Sequence, residues 1–121
     1  MVFFQQKGVA VLAYPFYLAA RFPSKEAAGS VYFPLQEMVF AAQDDCDLSV
    51  YRIRHEGVWL VIVLGEPPPK TLYLRIEAKL TKGTLVTLRE DVLRFLQARR
   101  SQVAPLAPWV ELHHHHEEEE R

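Results

Sequence analysis

Hydrophobic and polar positions change their period several times along this chain, and each change marks an element. Val2–Phe4 and Gly8–Tyr14 are rich in valine and aromatic residues and suit extended structure. After Pro15, residues Phe16, Leu18, Ala20 and Phe22 alternate with Tyr17, Ala19 and Arg21. That period of two predicts a strand with one face more buried. Pro23-Ser24 ends it: Ser24 is a good helix N-cap, and Glu26 falls in the first turn, where the helix dipole favours an acid. Ala28, Val31, Leu35, Met38, Val39 and Ala42 then recur at three- and four-residue steps, one apolar helical stripe. Pro34 lacks an amide donor and crowds the Ser30 carbonyl, which predicts a kink or two helical pieces.

Asp44-Asp45 closes the helix. Leu48–Arg54 and Val58–Leu64 read as two strands joined by the turn His55-Glu56-Gly57, with Gly57 supplying the positive φ of a tight hairpin. The second strand is apolar on both faces and should be central. Its neighbour carries Arg52 and Arg54 and is expected to be the more exposed of the two. Gly65-Glu66-Pro67-Pro68-Pro69 makes a rigid exit. From Thr71 to Thr81, the alternation of Leu72, Leu74, Ile76, Ala78 and Leu80 fits a strand. A proline lead-in, strong helix formers and the Lys82-Gly83 stop favour a helix, the reading adopted here. Thr84–Val86 is short and extended. Thr87-Leu88-Arg89-Glu90 has the form of a capping box, opening a helix that buries Leu88, Val92, Phe95 and Leu96 and ends at Arg99-Arg100.

This order predicts an α+β fold, a ferredoxin-like split β-α-β sandwich with a central antiparallel hairpin, an extra N-terminal extended segment and a C-terminal helix. Residues 1–102 form one domain, consistent with a chain of 121 residues. Residues 103–112 form a proline-rich apolar arm, and residues 113–121 a solvated, disordered His/Glu tail. The apolar run Gly8–Ala20 is interrupted by Pro15 and too short to span a bilayer, so it reads as buried core of a soluble, cytoplasmic protein without a membrane partner. A single cysteine, Cys46, excludes an internal disulfide framework. The net charge of −1 is a cancellation. Residues 117–121 hold four acids and one base, so the remaining chain has 13 basic and 11 acidic residues. This faint positive balance does not mark a nucleic-acid binder.

Candidate chemistry is sparse. Asp44, Asp45 and Asp47 around Cys46 read as turn residues, lacking the spacing and glycine of a calcium loop. Neighbouring carboxylates should raise the Cys46 pKa and suppress its thiolate, which removes it as a nucleophile. His55-Glu56 sits at a turn tip, a poor place for an acid/base pair. The His113–His116 run has no fixed geometry for a metal, and no cofactor, metal or small-molecule ligand is assigned. As an alternative, Glu77 and Lys79 on a strand, with Asp47 or Glu66 as the upstream acid, would resemble the layout of a metal-dependent nuclease. A second alternative is a weak nucleic-acid-binding regulator using Arg52, Arg54, Arg89, Arg94, Arg99 and Arg100, which requires them on one face.

The leading expectation is a non-enzymatic module that binds another protein or its own copy. Nine of the fourteen aromatic residues lie in residues 1–40. Phe3, Phe4, Tyr14, Phe16 and Tyr17 at one end, and Leu106, Trp109 and Val110 at the other, exceed what a core of this size hides.

Overall fold

The structure, a computed structural model, describes residues 16–102. Seven elements follow in order: β1 (Phe16–Phe22), α1 (Lys25–Ala41), β2 (Leu48–His55), β3 (Val58–Gly65), α2 (Lys70–Leu80), β4 (Thr84–Val86) and α3 (Glu90–Gln102). The architecture is α+β, with four strands in one antiparallel sheet of order β2-β3-β1-β4. The N-terminal extended segment, the 103–112 arm and the His/Glu tail lie outside the described residues. Among the described residues no helix is long and apolar enough to cross a membrane.

The register follows from the side-chain pattern. β3 pairs with β1 from Phe16↔Gly65 to Phe22↔Trp59 and with β2 from Leu48↔Gly65 to His55↔Val58. Both edges of β3 are thereby hydrogen-bonded, and Trp59 to Gly65 are all buried. A strand apolar on both faces needs cover on both sides. On the face of Phe16 and Arg52 lie α1 and α2: the Phe16 ring meets Tyr73 of α2 edge-on at 6.0 Å, and the Arg52 guanidinium lies over Tyr32 of α1. On the alternate face lies α3, where Arg100 Nε donates to Ser49 Oγ at 3.1 Å. The Leu88 N–H, just before that helix, donates to Tyr17 Oη at 3.3 Å. Ala19 and Ala20, adjacent and so on opposite faces, are fully buried, small enough to let helices approach from each side.

Residues 70–80 are helical, as the proline lead-in and glycine stop predict. Ser24 caps α1 as expected, its Oγ accepting from the Ala27 N–H at 3.0 Å. Three local expectations are refined. Of the kink or division expected at Pro34, division does not occur: α1 runs unbroken through the proline. Buried residues on both sides of the proline, from Ala28 to Val39, pack on one core and hold the two halves in register. β2 is the more exposed of the two hairpin strands by only a small margin: Arg54 and His55 are half-buried, but Leu48 to Ile53 are all buried, Arg52 included, because helices cover both its faces. The Thr87 capping box does not set the start of α3. The Arg89 carbonyl already accepts from Leu93 N–H, which puts Arg89 at the capping position. The buried stripe accordingly runs through Val92, Leu93 and Leu96, and Phe95 is exposed.

Two glycines have conformational reasons. Glu56 (φ 53°) and Gly57 (φ 79°) form the two-residue turn of the β2–β3 hairpin. Gly65 (φ 152°) lies where β3 leaves the sheet, and a Cβ there would run into the Asp47 carbonyl and the Leu48 Cα. Gly65→Ala is expected to lower unfolding free energy by about 2–4 kcal/mol in urea titration, because backbone cannot move aside. Gly57→Ala, with open space around it, should cost only about 1–2 kcal/mol for its left-handed backbone.

Candidate interaction surface

The acidic loop between α1 and β2 is a structural junction. Glu66 Oε1 accepts from the Asp47 N–H at 2.9 Å, and the Glu66 N–H donates to the Asp47 carbonyl at 3.0 Å. Arg100 Nη2 reaches the same carbonyl and the Asp47 carboxylate, each at 2.9 Å. Cys46 is buried beneath, its Sγ donating to the Glu66 and Pro67 carbonyls at 3.6 and 3.8 Å. Burial, then the carboxylates of Glu66 and Asp47, push the thiol pKa up; Arg100 opposes them, and Asp45 adds a smaller upward effect. His55 Nε2 lies 3.8 Å from Glu56 Oε2 at the hairpin tip, but Glu56 already accepts from Arg89 at 2.6 Å.

The strand needed for a nuclease layout is not formed. Glu77 and Lys79 stand on α2, two residues apart, and positions so spaced on a helix do not share a face. The Glu77 carboxylate instead accepts from the Tyr73 hydroxyl at 3.5 Å. Asp47 and Glu66 do come together, through backbone bonds rather than around a cation site. Among the described residues, no three His, Cys, Asp or Glu side chains gather closely enough to hold a metal ion.

The six arginines do not share a face either. Arg52 and Arg54 point to the α1 side of the sheet, Arg54 over the Trp59 ring at 6.0 Å. Arg89, Arg94, Arg99 and Arg100 belong to α3 and its cap on the other side. Three of these are paired: Arg89 with Glu56 and Asp91, Arg94 with Glu90, and Arg100 with Asp47. Arg52 is buried, its guanidinium 5.4 Å from the Tyr32 centroid and 5.3 Å from that of Phe33. Gly29 leaves the room it needs, since a Cβ there would lie 2.8 Å from Arg52 Nη1. Burial also pushes the Tyr32 hydroxyl well above the usual phenol range, with the Arg52 charge opposing.

Of the apolar residues expected at an interface, Phe3, Phe4, Tyr14, Leu106, Trp109 and Val110 lie outside the described residues. Phe16 and Tyr17 are half-buried and serve the fold, through Tyr73 and Leu88 respectively. The surplus apolar surface lies elsewhere. Phe33 and Phe40 on α1 are 49% and 60% exposed, and Leu74 on α2 is 49% exposed. Phe33 and Phe40 are seven residues apart, so they share one side of the helix. Between α1 and α2 runs an open groove. Pro34, Met38 and Ala41 line it from α1 and Ala78 from α2, with Glu37 on the first wall and Arg75 and Lys79 on the second. None of these three charges is in an ion pair with another described residue. The signal for Phe33 and Phe40 was present in the sequence: two aromatics at a helical interval, beside Glu26, Ser30 and Glu37 on the polar side of the predicted stripe.

No protein-family model, no curated protein and no solved structure matches this chain. The groove and its rim therefore rest on their own geometry.

Two measurements check this description. Arg52→Ala should destabilise the protein by about 2–4 kcal/mol and Arg52→Lys by about 1–2 kcal/mol in denaturant titration, since an ammonium cannot stack its plane on the rings. Cys46 should react with iodoacetamide far more slowly in the native chain than in urea. Its rate should climb only at pH values above those that activate an ordinary thiol, because the raised pKa keeps it protonated.

Proposed function

We propose that this chain is a small, soluble, non-enzymatic protein–protein interaction module that self-associates in the cytoplasm. The observation that carries this reading is the open, largely apolar groove between α1 and α2, on a helix layer that also exposes Phe33 and Phe40 along one side of α1. Large apolar side chains scattered singly need no explanation, but apolar residues lining an open groove mark an interface.

The fold proposed for the module is a ferredoxin-like split β-α-β sandwich on residues 1–102. It is supported by the element order and by β3 lying between β1 and β2, the two strands joined through α1. The fold carries no function of its own. One buried, protonated thiol suits a reducing compartment such as the cytoplasm.

Sedimentation velocity over a hundredfold range of concentration tests self-association. The expected outcome is a monomer–dimer or higher equilibrium within about the micromolar range. A sharp monomer boundary at every concentration would overturn it.

A further inference from the structure

We infer that the α1/α2 groove is the self-association surface, and that a second copy of this chain occupies it across a two-fold axis. The inference rests on the self-association proposed above and assigns it a place and a geometry. Its motivating feature is the asymmetry of charge across the groove. Its α1 wall carries the carboxylate of Glu37, and its α2 wall carries the cations of Arg75 and Lys79. Apolar positions lie between them. All three charged groups are left without an ion pair inside the described part of the molecule.

A two-fold axis along the groove turns α1 of one copy over α2 of the other. Each Glu37 then meets the partner copy's cations, twice per dimer, while the apolar positions Pro34, Met38 and Ala41 of one copy close over Ala78 of the other. An isologous interface requires such a self-complementary patch, in which every donor of charge finds its acceptor on an identical surface. A groove of one sign would repel its own copy, and an uncharged one would not define a register. This one has opposite signs on opposite walls.

The test uses charge exchange in the full chain, read by sedimentation velocity, with circular dichroism and thermal midpoint as folding controls. Glu37→Arg places three cations on each patch, and Arg75→Glu with Lys79→Glu places three acids. Each change is expected to weaken the dimer about tenfold or more. The combined variant, with Glu37→Arg, Arg75→Glu and Lys79→Glu together, reverses both walls and should recover most of the affinity. High salt should narrow all these differences.

The outcomes separate cleanly. A monomeric wild-type chain overturns both the self-association and its location. A wild-type dimer indifferent to these substitutions keeps the function and overturns the surface. Loss of the dimer on Trp109→Ala, with the charge variants silent, moves the interface to the 103–112 arm. A combined variant no better than its parents shows that Glu37 does not face Arg75 and Lys79, and overturns the two-fold arrangement.

Discussion

The fold is organised around β3, which pairs with both β1 and β2. The run Trp59-Leu60-Val61-Ile62-Val63-Leu64 is apolar at every position, so alternation sends large hydrophobic side chains to both faces of the strand. Such a strand is stable only with neighbours on both edges and layers on both faces. β1 and β2 supply the edges, α1 and α2 one layer, and α3 the other. The consequence reaches function directly. Among the described residues, a sheet covered on both faces leaves little open platform on which to stack bases. The described surface open to other molecules is mainly the outside of the helices and the edges of the sheet.

The placement of the arginines follows from the same cover. Arg52 comes from a strand position that must lie under α1, and burying a guanidinium is costly unless something replaces water around it. The faces of Tyr32 and Phe33 do part of that, and Gly29 provides the space. On the opposite side α3 is held near both ends, by Arg89 against Glu56 at the hairpin tip and by Arg100 against Ser49 and Asp47. The exposed Arg89 pair contributes little by itself. Arg100 joins three acceptors from a half-buried position and is the stronger anchor. These roles leave the surface with no contiguous arginine face.

Much of this was legible residue by residue. The strand Phe16–Phe22, the Ser24 cap, the hairpin around Gly57 and the helix after Pro69 all follow from short-range patterns, which depend on neighbours within a few positions. Pro34 does not divide α1 because its cost is local, whereas the packing that offsets it comes from contacts with the rest of the core. The capping signature at Thr87 was likewise outvoted, since Leu88 is tied to Tyr17 far away in sequence.

The sequence by itself determined the elements, the centrality of Val58–Leu64 and the absence of an internal disulfide, because periodicity, turn chemistry and cysteine count are properties of the chain. Only the tertiary structure decided that Arg52 is core, that Glu77 and Lys79 do not share a face, that Phe33, Phe40 and Leu74 are exposed, and that a groove of mixed charge lies between α1 and α2. Burial and charge pairing depend on which faces meet, and that is set by the packing of whole elements.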